Sequence, residues 1–493
     1  MKSSSNNQIK NEGGEVAMEY EVDVERRYNR LRSILLEYGI TSPDNLVTHE
    51  SPQARALSWL VFDDIQTQHV EVARTRFALA TLFFSTSGIL EGNEIKSWKS
   101  RTHWLSDFPV CLWHGVSCID EENTLGRVKS INLTANGLVG TLPAEIGLLQ
   151  GDIIHFDVSH NAIRGSIPSS ISSMNNLLEL HVGSNYLTSM IPESLSKLDS
   201  LTQFYANECS LTGSLPSNLF FKLTNLESLG LHDNLLTGPI PDSIGSLTNL
   251  FSLYLDNNFF SGDLPTYIGK LINLVDFRVR RNQIDGNIPS EIGMMRSLHF
   301  LYMDSNHLVG TIPGETFEEI SSLREIHLYK NYLTGRIPSE FGRISFLESL
   351  YLDHNAMDAS IPATLGFLPY VKSIFLDHNN LTGRIPTEFG RLHSLKNLRL
   401  DTNSLFGSLP SSLSNAHYLE TFYANNNSIT GTVPSEFAAL THLESIRLHG
   451  NLLLGSIPAK LCENMKKDVL LELTADCRNH SEITCECCTL CFN

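Results

Sequence analysis

Arg278-Val279-Arg280-Arg281 is the sharpest chemical feature of the 493-residue chain. Arg278 and Arg280 stand two apart, so on an extended strand both guanidinium groups leave from the same side. That fork suits a carboxylate, sulfate or phosphate, because a planar guanidinium presents paired N–H donors. Asp256 and Asp304, at neighbouring places in the pattern, offer an internal neutralisation instead. Around the fork, aromatic residues return about every 24 or 48 positions: Tyr205, Tyr254, Tyr302, Tyr351, Phe375 and Tyr423. Arg278, Arg399, Arg447, His181 and His327 are interleaved with them. Tyr and Arg are the residue types that concentrate binding energy in interfaces. Six aromatics in one column exceed what a solvated strand face needs, so the column is expected to bind a ligand.

A second column holds Asp256, Asp304, Asp353, Asp377 and Asp401, with His354 and His378 beside it. On adjacent strands about 5 Å apart these would form Asp-His pairs that a divalent ion could bridge. Asp often precedes the turn in such patterns, however, so no metal and no cofactor is assigned. Ser-His-Asp sets can be picked from among 18 His, but no nucleophile elbow or Gly-rich phosphate loop accompanies them, and the chain reads as non-catalytic.

These columns need an element that repeats, and the sequence supplies one. In Leu226-Glu227-Ser228-Leu229-Gly230-Leu231-His232-Asp233-Asn234-Leu235-Leu236-Thr237-Gly238-Pro239-Ile240-Pro241, apolar residues, Asn, Gly and Pro hold fixed places, and the pattern returns on both sides. Each return describes one coil of a solenoid. Fourteen coils run from about Val128 to Pro458, and thirteen of the fourteen ninth places are Asn; the fourth coil has Cys209. An Asn amide both donates and accepts, so a stack of them can satisfy the turn leaving each strand. One strand per coil predicts a curved parallel sheet roughly 60 to 65 Å long, lining a concave face. Gly in the Gly-x-Ile-Pro half suits a tight bend, and Ala359 in its place predicts a loosened or twisted tenth coil.

Residues 1 to 17 are polar and read as disordered, and 18–125 as a cap. Helices are expected from Tyr20 to Tyr38, from Ser51-Pro52, and around Phe77, Ala80, Thr81 and Phe84. The solenoid occupies 126–458, and 459–493 forms a Cys-rich second cap. A formal charge of -18 argues against nucleic acid and anionic membranes as partners. No segment has the length of a membrane span, and the first residues lack the apolar core of a signal peptide, so an incomplete native N-terminus or an unusual export route is expected.

Cys111-x-Trp113-x-Gly115-Val116-x-Cys118, just before the first coil, closely resembles the N-terminal cap of plant-type extracellular leucine-rich repeat proteins. Gly238-Pro239-Ile240-Pro241 and Gly335-Arg336-Ile337-Pro338 resemble their plant-specific repeat class. The layout from Ser51 to the Cys-dense tail is similar to the leucine-rich repeat receptor-like proteins of diatoms. Cys111 and Cys118 can pair; Cys462, Cys477, Cys485, Cys487, Cys488 and Cys491 can form three bridges in fifteen ways, with a zinc site as the rival reading. Cys209 is expected to be a buried free thiol. Paired caps and the sequons at Asn132, Asn380, Asn426 and Asn479 point outside the cytosol. The implied fold is an α/β repeat solenoid, a right-handed leucine-rich repeat superhelix. The implied function is a receptor-like ectodomain, secreted or at the cell surface, whose concave face takes a peptide, protein or glycan, with a possible co-receptor. The expected ligand residues are Tyr205, Tyr254, Arg278, Arg280, Tyr302, His327, Tyr351, Phe375, Arg399 and Tyr423; the fork resembles the paired Arg that holds a peptide carboxylate in some plant receptors. A secreted inhibitor of a wall-degrading hydrolase and a cytoplasmic interaction scaffold are the alternatives.

Overall fold

The computed structural model describes residues 12–64, 69–87, 98–119, 127–466, 469–477 and 483–492. The chain folds as two compact units, Met1–Leu226 and Glu227–Asn493. Four helices open the first unit: α1 Glu12–Glu37, α2 Pro43–Val47, α3 Pro52–Phe62 and α4 Val70–Thr86. The expectation of disorder to residue 17 is corrected from Glu12 onward, where the chain is helical; residues 1–11 lie outside the described ones. Leu31 and Leu35 of α1 are buried, and Gly39 follows it in the left-handed region at φ 64°. Ser51 caps α3, its hydroxyl accepting from Ala54 N at 3.0 Å, with Pro52 at the first helical position.

The interior of this cap is aromatic. All four Trp of the chain meet there: Trp98 and Trp104 lie 4.7 Å apart, Trp104 and Trp113 5.0 Å, and Trp59 and Trp113 5.9 Å. Arg76 of α4 is buried among them, 5.0 Å from the Trp59 ring and 5.1 Å from the Trp113 ring. Its Nε donates to Asp64 Oδ2 at 2.6 Å, and its terminal nitrogens donate to the Phe108 and Ser106 carbonyls. The Cys111–Cys118 disulfide closes the same loop. Strand Val116–Cys118 then pairs antiparallel with Val128–Asn132. Strands His155–Asp157, Glu179–His181 and Gln203–Tyr205 follow in parallel.

In the second unit parallel strands follow one another in register from Ser228–Gly230 to Ser445–Arg447. The fold is thus a leucine-rich repeat solenoid with Asn, Gly and Pro where the pattern placed them. Asn258 shows why the ninth place is fixed. Its Oδ1 accepts from Leu236 N of the preceding coil at 3.0 Å, and its Nδ2 donates to Leu231 O at 2.9 Å and Leu255 O at 3.2 Å. All these groups are buried, so the amide supplies partners that water cannot. Cys209 in the first unit makes one long contact, Sγ to Val182 O at 3.8 Å, and is half-buried, not buried as expected.

Each coil turns twice through the left-handed region. One residue is that before the Asn, such as Arg281 at φ 51° or His354 at φ 53°. The other is the Gly of Gly-x-Ile-Pro, where the chain makes a short second strand; Leu235–Gly238 pairs with Phe259–Asp263 in this way. Ala359 keeps that conformation at φ 64°, and its carbonyl still accepts from Thr382 N at 2.8 Å, so the tenth coil is not loosened. Ser189 makes the same substitution at φ 71°. The following Pro leads into a 3-10 turn on the far side, as Pro241 does for Asp242–Ser246.

Beyond the last Asn comes helix α5, Ala459–Lys466, and the sheet continues through Glu472–Asp476 and Leu490–Phe492. Three disulfides, Cys462–Cys487, Cys477–Cys491 and Cys485–Cys488, use all six terminal Cys, which leaves no thiolates for the rival zinc reading.

Candidate functional site

The third residue of each strand in the second unit faces outward, and strand register brings these residues side by side. Tyr254 pairs with Arg278, Arg278 with Tyr302, and Tyr302 with His327. The series goes on through Tyr351, Phe375, Arg399, Tyr423 and Arg447. Every neighbouring pair is in contact. The Arg278 guanidinium carbon lies 5.1 Å from the Tyr254 ring and 4.9 Å from that of Tyr302. Ring centroids are 4.5 Å apart for Tyr302 and His327, and 4.4 Å for both His327–Tyr351 and Tyr351–Phe375. Arg399 bridges Phe375 at 4.6 Å and Tyr423 at 5.2 Å, and Arg447 covers Tyr423 at 4.2 Å. The result is one unbroken ladder of rings and guanidinium groups across nine strands. Tyr205 belongs to the first unit, where its ring stands edge-on to His181 at 5.1 Å.

The cations of the ladder differ in what they already hold. Arg278 is clasped by Asp276 of its own strand, Nε to Oδ1 at 2.8 Å and a terminal nitrogen to Oδ2 at 2.7 Å. That bond holds the guanidinium pKa above its ordinary value. Arg280 N donates to Asp256 Oδ1 at 3.0 Å, and its side chain lies 4.0 Å from the same oxygen. The expected anion fork is therefore revised: internal carboxylates occupy the positions a ligand anion was to take, and the main one is Asp276. Sequence reasoning passed over Asp276, although its place two before Arg278 puts both on one side of the strand. Arg447 is paired with Glu472 at 2.9 Å. Arg399 makes no ion pair among the described residues, and its buried Nε has no hydrogen-bond partner there.

Burial sets the protonation of the ladder's centre. It pushes the His327 imidazole down to about 4, helped by Arg280 and Arg278, so the ring stacks as a neutral aromatic near neutral pH. The Tyr302 hydroxyl is pushed up by burial and donates to Glu325 Oε2 at 2.7 Å. Beside the ladder, Asp256 and Asp304 are almost wholly buried, not the exposed acids a column reading implies. Burial raises Asp256 to about 7, outweighing the opposing pull of Arg280. Asp353 rises to about 6 through burial and the neighbouring charge of Asp377.

Elsewhere, a cleft in the first unit is lined by Glu71, Arg74, Arg127 and Asp152, and Arg127 already pairs with Asp152 at 2.6 Å, so it offers little unspent chemistry. Asn132, Asn380 and Asn426 are exposed, as a glycan acceptor must be; Asn479 lies outside the described residues. Among the described residues no helix is long and apolar enough to cross a membrane.

Family models described as leucine rich repeat match residues 296–357, and others of the same description match 225–247, 249–271, 370–392 and 418–440. The chain is 36% identical over 81 residues to the LRR receptor-like serine/threonine-protein kinase GSO2 of Arabidopsis thaliana, covering 16% of this chain and only 6% of that protein. Among solved structures it is similar to the plant peptide hormone receptor RGFR1 in complex with RGF2, with a TM-score of 0.57 and 27% identity over 73% of this chain and 64% of that one. It is also similar to PEPR1-AtPEP1, with a TM-score of 0.54 and 27% identity over 83% of this chain and 65% of that one. These likenesses support a plant-type leucine-rich repeat chain; a special relation to diatom proteins rests on the sequence resemblance alone.

Proposed function

We propose that the second unit is a recognition surface for an extended peptide or a peptide segment of a protein, bound along the ladder from Tyr351 to Tyr423. The observation that carries this reading is Arg399: a guanidinium held between two rings, without an ion pair among the described residues, at the end of a stacked aromatic run. Its flat cation suits a ligand carboxylate, and the half-buried edges of Tyr351 and Phe375 suit apolar or aromatic ligand side chains. One solved neighbour is the plant peptide hormone receptor RGFR1 in complex with RGF2, and another is PEPR1-AtPEP1; the first supports a peptide ligand here. Four disulfides and three exposed sequons support a place outside the reducing cytosol. A non-catalytic role fits a surface whose acids and bases are mostly paired with each other.

The test uses peptides selected from a displayed random library on the full chain. Arg399→Ala with Phe375→Ala should weaken the selected peptides at least about tenfold, as loss of a central Arg and aromatic does in interfaces. Acidic residues should be enriched among them. Peptides that bind the double variant as well as the parent chain would refute the assignment.

A further inference from the structure

Next to the ladder, two residues beyond Tyr351 and Phe375, the acid column meets two exposed imidazoles. His354 and His378 stand on adjacent coils with their rings stacked at 4.2 Å. Asp377 Oδ2 lies 3.0 Å from His378 Nδ1 and 3.9 Å from His354 Nδ1, and Asp353 Oδ2 lies 3.0 Å from His354 Nδ1. One ligand atom from each of His354, Asp377 and His378 falls within a 4.8 Å span. A second observation is independent of that spacing. Asp377 is 94% buried by its 6% exposure, and its Oδ1 accepts no hydrogen bond among the described residues. A buried carboxylate oxygen without a donor is costly unless a cation takes the donor's place.

We infer that His354, His378 and Asp377, with Asp353 beside them, form a binding site for one late first-row divalent cation such as Zn2+. Two imidazoles and a carboxylate are the donors these ions favour, whereas Ca2+ takes six or more oxygens. The rings are 42% and 45% exposed, which leaves them room to turn toward a shared ion and leaves its outer face open. His354 and His378 each sit in the left-handed region, at φ 53° and 51°, so the coil backbone presents both from the same place in successive turns. The inference does not depend on the peptide reading, since it concerns the ion alone.

The experiment is calorimetric titration of the full, oxidised chain carrying Cys209→Ser with ZnCl2, and separately with CaCl2. One saturable Zn2+ equivalent is expected, with no Ca2+ response. His354→Asn with His378→Asn, chosen because Asn tolerates left-handed backbone, should weaken that event by at least about tenfold, the least that removing support from a metal site costs. Zn2+ should raise the unfolding temperature of the parent and not of the variant, a readout that also shows both are folded. Unchanged Zn2+ affinity in the folded variant, a Ca2+ response in place of a Zn2+ one, or no saturable event in the parent would each overturn the assignment.

Discussion

Replacing Arg76 by Met should unseat the N-terminal cap. Arg76 and Asp64 side chains are 1% and 0% exposed, so the pair has no recourse to water when one partner goes. Removing one member of such a pair costs about 3–5 kcal/mol, because the other charge stays buried. The Ser106 and Phe108 carbonyls also lose their donor, at roughly 1 kcal/mol each within that range. Adding Asp64→Leu removes the stranded carboxylate and should return at least about 2 kcal/mol, since apolar replacements of a buried pair are often near neutral. All four Trp lie in this cap, so their fluorescence during urea unfolding reads the cap and not the coils. With a slope of about 2 kcal/mol per molar urea, the single variant should lower the midpoint by roughly 2 M. The reasoning fails if the single variant moves the midpoint by less than about 0.5 M, or if the double variant is no better than the single one.

Two further outcomes follow from backbone and charge. Ala359→Gly and Ser189→Gly should each stabilise by about 0.5–1 kcal/mol, because both positions hold an L side chain at φ 64° and 71°. Gly335→Ala should do the reverse, as its new Cβ would sit 2.8 Å from Thr311 Cγ2 at φ 74°; thermal unfolding of the three variants decides. Asp256, whose folded pKa of about 7 lies above its ordinary value, binds its proton more tightly folded than unfolded. Its stabilising contribution is thus full below about pH 4 and lost as pH rises through 7. His327, depressed to about 4, acts oppositely: its contribution is present above about 6.5 and lost as pH falls through 4. Asp256→Asn should therefore raise the melting temperature at pH 8 and change it little at pH 4. Equal effects at both pH values would contradict the burial argument.

The coils were legible because their chemistry is local and repeated. Asn258 serves Leu236 and Leu231 by one rule that holds from coil to coil, and a period of about 24 residues exposes it. The ladder's membership was legible for the same reason: register follows from the repeat, and register puts Tyr351 on Phe375. What stayed hidden were the partners. Internal neutralisation of Arg278 was foreseeable, but its clasp by Asp276 depends on rotamers, and the depth of Asp256 and Asp304 depends on neighbouring side chains. The union of Arg76 with Asp64 joins the end of one helix segment to the middle of the next and has no repeat to announce it. The terminal bridges were a choice among fifteen until strands Glu472–Asp476 and Leu490–Phe492 fixed which thiols meet.

A stack of near-identical coils is, in materials terms, a one-dimensional crystal that must be told where to stop growing. Parallel strands recruit further parallel strands through the open hydrogen bonds of an outer edge. At the N-terminal end the strand Val116–Cys118 runs the opposite way to Val128–Asn132, so an incoming coil meets a face of the wrong polarity. At the other end the last strand is tied back through Cys491 to Cys477 and cannot swing out to template another. The strand of the first unit and the bridge of the second thus act as growth poisons of different kinds, one by reversal and one by tethering.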